Sequence, residues 1–363
     1  MRRSSLLAAV LIGLGCASSP PPAPAAVTPS AVTPDAPAAP RVETVDIPAE
    51  GERTIGATLV RPEGPGPHPT VVFIAGSGPT DRDWGGPLLP GPSRSGSMLA
   101  DALAEHGIAS LRYDKIGTGT TTVPTTITFD AFRDDARTAL RFVAAQPEID
   151  AGKLYLAGHS EGGLHAIRAA RTGDPAVAGL LLLSVPGQSM QTTIARQLRN
   201  NLTGAGVPAE TAEAEVAQWN GALDRFIAGE AVEITEVSER PGLRKLWFAF
   251  AAPAAAEVSR GMLGFDPAAA LGEVSVPILV LGGGKDIQVE PSIDAAALHA
   301  AATEAGADVT LVVAEQADHT LKLEPRAVED VRANLITLAS HYNADGRTLD
   351  PVVVEAIVAF VGR

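Results

Sequence analysis

Cysteine is almost missing from this chain. Among 363 residues only Cys16 carries a thiol, so no disulfide can close within the chain. Basic residues are also in short supply: 28 Lys and Arg stand against 42 Asp and Glu, a formal net charge of -14. A surface of that sign repels phosphate backbones and anionic headgroups, which argues against nucleic acid as a partner. No apolar run approaches the roughly 20 residues of a permanent membrane span. No internal repeat is visible.

What is present begins with "MRRSSLLAAVLIGLGCASS": two arginines, an apolar run from Leu6 to Leu14, then small residues around Cys16. That is the layout of a secretory signal. Leu14-Gly15-Cys16 resembles the end of a bacterial lipobox, with Gly13 where leucine usually stands. Such a motif implies cleavage after residue 15, lipidation of Cys16 and a place in the cell envelope; a plain secretory signal leading to a periplasmic or secreted protein is the alternative. Residues 16–40, rich in Pro and Ala and nearly devoid of charge or large apolar groups, cannot offset their ordering entropy by burial and read as a tether.

From Arg41 the pattern becomes that of a folded domain. "RVETVDIPA" and "RTIGATLVR" read as two strands joined at Glu50-Gly51-Glu52. Thr70 to Ala75 is a continuous apolar, β-branched run of the kind found in strands buried on both faces. Helix and strand then alternate: "SGSMLADALAEHG", "IASLRYD", "FDAFRDDARTALRFVAAQ", "KLYLAGH", "EGGLHAIRAARTG", "VAGLLLLSV", and later "VPILVLGGG", "SIDAAALHAAATEAG" and "DVTLVVAE". This rhythm predicts a mostly parallel, doubly wound α/β sheet over 41–188 and 266–363. Residues 189–265 contain no convincing strand and read as three helices, "MQTTIARQLRNNL", "AETAEAEVAQWNGALDRFIAG" and "PGLRKLWFAFAAPAAAEVSRGML". An insertion between parallel strands is expected over their carboxyl edge, as a cap. Its Trp219, Phe226, Trp247, Phe248, Phe250, Met262 and Phe265 read first as packing and second as substrate contacts.

Within "YLAGHSEGGLHA", Gly158-His159-Ser160-Glu161-Gly162 matches G-x-S-x-G between a strand and a helix, the setting of a nucleophile elbow. A serine needs a base to take its proton and a third group to orient that base, in the chain order serine, acid, histidine. Of the histidines after Ser160, His165 lies in the elbow's own helix, His299 within a later helix, and His341 within or after another; His319 stands on a loop beyond the last strand. Asp286 leaves the preceding strand, and the other usual site, after "LLLLSVPGQS", offers no carboxylate. Asp318 adjoins His319 and is the reserve acid. Two N–H donors are needed for an oxyanion. The backbone groups of Glu161 and Ser77 are the candidates, with Gly78 next to Ser77.

With "GSGPTDRD" (76–83), "RYDKIGTG" (112–119), "GHSEGG" (158–163), Asp286 and His319 in hand, the chain resembles the α/β-hydrolases, in particular bacterial serine esterases carrying those segments. The resemblance covers roughly residues 42–362. Ile116 replaces the arginine usual in the second segment, which leaves open any salt bridge that arginine would make, and with it the placing of the loop. Asp81 and Asp83 are expected to brace their loop. The resemblance implies hydrolysis of small carboxylic esters through an acyl-enzyme, with no metal or organic cofactor. A peptidase or acyltransferase using the same residues, and an inactive hydrolase-like binding lipoprotein, are the other readings. Acyl and alcohol preference and oligomeric state are not written in the motifs.

Overall fold

The computed structural model describes residues 39–86, 91–333 and 341–363. The expected signal segment, Cys16 and the expected tether up to residue 38 lie outside the described residues. The first hairpin pairs β1 (Arg41–Ala49) with β2 (Arg53–Arg61), antiparallel, through a turn in which Gly51 and Glu52 both have positive φ. β1 is mostly exposed, as an edge strand is on its unpaired side. The other strands are β3 (His68–Ile74), β4 (Ala109–Tyr113), β5 (Ile149–His159), β6 (Gly179–Leu183), β7 (Ile278–Gly283) and β8 (Val309–Ala314). All join one eight-stranded sheet in the order β1-β2-β4-β3-β5-β6-β7-β8, parallel from β4 to β8 and antiparallel at β1/β2 and β2/β4.

Because side chains alternate across a strand, the continuous apolar runs feed two cores at once. Val72, Ile74, Leu180, Leu182, Ile278 and Val280 enter one, and Val71, Phe73, Leu181, Leu183, Leu279 and Leu281 the other. The first is covered by α2 (Phe129–Ala144), α3 (Glu161–Ala170) and α10 (Asp294–Glu304), the second by α1 (Ser95–Glu105) and α11 (Pro351–Val361). α2 starts where the Thr128 side chain accepts the Ala131 N–H at 3.0 Å, an N-cap. β3 lies between β4 and β5, so the strand order reverses there and a crevice opens at the carboxyl ends of β3 and β5.

Six helices separate β6 from β7: α4 (Met190–Gly204), α5 (Ala209–Ile227), α6 (Ile234–Val237), α7 (Pro241–Ala251), α8 (Ala256–Leu263) and α9 (Pro267–Leu271). The single helix expected over 241–263 is two, because Pro253 pushes Ala252 to φ -54°, ψ 136° and ends α7. Trp219 is fully buried and meets Trp247 edge-on at 5.9 Å, and Phe226 meets Trp247 at 5.5 Å. These residues share one apolar interior with the α2 and α3 side of the sheet. Phe248, expected to pack, is instead 61% exposed. Trp219→Ala should destabilise the fold by about 3–5 kcal/mol in urea titration; a loss below about 1 kcal/mol would deny it a core role.

Candidate active site

β5 ends at His159 and α3 begins at Glu161, so Ser160 alone makes the turn, at φ 51° and ψ -126°. That is a costly conformation for a residue with a side chain, held here from both sides. Ser160 N–H donates to the Leu183 carbonyl of β6 at 2.9 Å, and Gly163 N–H donates to the Ser160 carbonyl at 2.9 Å. The flanking glycines are required by close approach. A Cβ on Gly158 would meet the Gly162 carbonyl oxygen at 2.4 Å, and one on Gly162 would meet the Ile74 carbonyl oxygen at 2.5 Å. Ser160 is thereby presented at the N-terminus of α3, where the helix dipole favours negative charge.

His319 and Asp286, 33 residues apart in sequence, meet on the loops after β8 and β7. His319 Nδ1 and Asp286 Oδ2 are 2.7 Å apart, with Asp286 buried. The other carboxylate oxygen, Oδ1, accepts the N–H groups of Gln288 at 2.8 Å and Val289 at 2.9 Å, so the acid cannot swing away. An aspartate on Nδ1 sets the imidazole proton there and leaves Nε2 as the proton acceptor. Burial disfavours the imidazolium, but the Asp286 charge and hydrogen bond outweigh it and raise the His319 pKa.

Ser160 and His319 face one cavity of about 240 Å³. Its walls come from the loop after β3 with Ser77, Thr80 and Trp84, from Gln288 after Asp286, and from Tyr342, whose hydroxyl accepts from Gln288 Nε2 at 2.8 Å. No residue from 189–265 is among the described lining, so the expected secondary role of the inserted helices as substrate contacts has no support in this cavity. The segment reaches the acid loop from behind: Arg196 of α4 donates to buried Asp294, and Gln197 Nε2 donates to the Gln288 carbonyl at 2.9 Å.

Sequence reasoning missed several groups here. His159, only a variable position of the elbow motif, lies stacked on Trp84 with ring centroids 4.4 Å apart and interplanar angle 11°. Its Nε2 donates to the His319 carbonyl at 2.8 Å, which ties the backbone of the loop after β8 to the end of β5. Burial, then the proximity of His319, pushes the His159 pKa down to about 3, so the ring is neutral. Glu161 was considered for its N–H alone. Its carboxylate accepts from Lys115 Nζ at 2.8 Å and lies 3.4 Å from His165 Nε2; burial opposes the charge, but Lys115 and His165 hold this carboxyl well below the usual range.

The remaining candidates fall into place by their partners. Ser77 lines the cavity, and the Glu161 N–H is the first of α3, with no carbonyl one turn earlier to bind. Gly78, beside Ser77, has φ 81°. Asp318 is engaged elsewhere: Arg347 Nη1 donates to its Oδ2 at 2.6 Å, and Thr320 N–H to its Oδ1 at 2.8 Å. Asp81 Oδ1 accepts from the N–H groups of Asp83 and Gly85, and Asp83 Oδ1 accepts from Arg112 Nε at 3.1 Å, both bracing contacts. Ile116 is buried, and the loop pairing is made by Arg82, which donates to Asp114 through Nε at 3.1 Å and Nη2 at 2.6 Å.

The model of the Alpha/beta hydrolase family matches residues 71–332, well over half of the chain. The chain belongs to the alpha/beta hydrolase family. Esterase EstD of Thermotoga maritima is 26% identical over 229 residues, which are 63% of this chain and 49% of that protein. The chain thus spans about half the length of this curated relative. Among solved structures, the Pyrococcus furiosus esterase PF2001 matches with TM-score 0.52 and 14% identity, over 84% of this chain and 92% of its own. DcsB, in complex with its substrate analogue, matches with TM-score 0.52 and 16% identity over 89% and 98%. At those identities the likeness is one of fold.

Proposed function

We propose that this alpha/beta hydrolase is a serine esterase acting on small carboxylic esters. The observation that carries the reading is the 2.7 Å contact of buried Asp286 with His319, which faces the same cavity as a strained Ser160 at the head of a helix. His319 Nε2 takes the Ser160 proton as Oγ attacks the acyl carbon, and the N–H groups of Ser77 and Glu161 hold the oxyanion. The imidazolium then protonates the departing alkoxide, leaving an acyl-enzyme. Water enters and gives one proton to His319 as its oxygen attacks the acyl carbon; the imidazolium returns that proton to Ser160 Oγ as the acyl C–O bond breaks, releasing the acid and the free serine. The name of the Thermotoga relative agrees with this chemistry.

Hydrolysis of p-nitrophenyl esters of graded acyl length, wild type beside Ser160→Ala, tests the reading. Folded wild type inactive on every ester rejects it. We further propose that the catalytic domain is exported and held at the cell envelope through a lipid on Cys16, followed by the Pro/Ala-rich tether, with 41–188 and 266–363 as core and 189–265 as a helical insertion. Mass spectrometry of the mature protein should find a diacylglyceryl-modified Cys16 as first residue; an unmodified chain starting elsewhere rejects the anchor.

A further inference from the structure

The geometry points to Lys115 as a positioning residue that clamps together the two peptide N–H groups of the oxyanion site, an inference that rests on the esterase reading. Lys115 follows β4, is buried, and makes two polar contacts through one ammonium: Nζ donates to the Gly76 carbonyl at 2.9 Å and to Glu161 Oε1 at 2.8 Å. Those two acceptors are not arbitrary. The Gly76 carbonyl and the Ser77 N–H belong to the same planar trans peptide, so fixing the direction of the oxygen fixes the opposite direction of the N–H. The second acceptor is the side chain of Glu161, whose own N–H is the other donor. A single ammonium thereby spans from the loop after β3 to the first turn of α3, the two elements whose spacing sets where an oxyanion can sit.

The contact also acts electronically. A cation on the carbonyl oxygen of an amide polarises the group and strengthens its N–H as a donor. Nζ also lies 5.2 Å from the Phe132 ring centroid, and the Glu161 carboxylate stands opposite its charge. Neither Lys115 nor Glu161 is among the described cavity lining, so the effect reaches the reacting atoms through the backbone. This accounts for the Lys of "RYDKIGTG" and the Glu of "GHSEGG", two residues of the resemblance that the serine, histidine and aspartate leave without a role.

Lys115→Met keeps the length and loses the charge. In that variant kcat on p-nitrophenyl acetate should fall about 100-fold with KM within about threefold, because the donors act on the tetrahedral state and not on the ester. The second-order rate of Ser160 labelling by a fluorophosphonate should fall by a similar factor, while the acid limb of the pH profile, set by His319, stays in place. Lys115→Arg should recover part of the loss. If Lys115→Met does not melt cooperatively, Glu161→Gln, which preserves shape, should slow labelling by about tenfold or more. A folded Lys115→Met with kcat and labelling within about threefold of wild type overturns the clamp and leaves the esterase standing, as does a change in KM alone. A wild type that neither hydrolyses esters nor labels at Ser160 overturns both.

Discussion

Ser160→Ala is expected to lower kcat on a p-nitrophenyl ester by about 10⁶-fold, leaving only what the oxyanion donors and the cavity contribute. The size follows from the mechanism: without Oγ there is no acyl-enzyme, and His319 can at best activate water from a position arranged for a serine. The fold should survive. Alanine removes one hydroxyl, and the backbone bonds that hold the turn, from Ser160 N–H to Leu183 and from Gly163 N–H to the Ser160 carbonyl, do not involve the side chain. A circular dichroism melt beside the kinetics separates the two effects. Activity within about tenfold of wild type in a folded Ser160→Ala would remove the nucleophile from this account.

Asp286→Asn is expected to cost about 10⁴-fold in kcat while keeping the shape of the loop. The asparagine oxygen can still accept from Gln288 and Val289, which turns the amide NH₂ toward His319 Nδ1. A donor there favours the tautomer with its proton on Nε2, which cannot take the proton of Ser160. The residual activity carries a second signature. His319 acts when neutral, so activity rises as pH climbs through its folded pKa, which lies above that of an ordinary imidazole because Asp286 outweighs burial. With the carboxylate gone, burial dominates and the acid limb should move to lower pH. A limb that stays in place would mean that Asp286 does not set the base. The same raised pKa contributes to wild-type stability below the unfolded-state pKa of about 6.5, a contribution lost as pH rises through the folded value. The melting temperatures of wild type and Asp286→Asn should therefore converge on the alkaline side.

Much of this molecule is legible along the chain because its signals are local. Apolar runs such as Thr70–Ala75 mark strands buried on both faces whatever surrounds them, since side-chain direction alternates within the strand itself. Gly158 and Gly162 announce the elbow because the turn and its close approaches lie within a few residues of Ser160. The order of Ser160, Asp286 and His319 nominates partners by the strands that they leave. The break at Pro253, the exposure of Phe248 and the absence of the inserted helices from the described cavity wall were not legible. Each depends on how elements pack, and an apolar helix face reads the same whichever neighbour covers it.

The sequence by itself determined the alternation of strand and helix, the strained serine and the shortage of basic charge. The tertiary structure alone decided that Asp286 lies 2.7 Å from His319, that Trp84 stacks on His159, and that Lys115 joins Gly76 to Glu161. Those contacts bridge separations of 33, 75, 39 and 46 residues. Backbone periodicity carries no information over such distances; the contacts exist because parallel strands bring the ends of distant segments to one edge of the sheet.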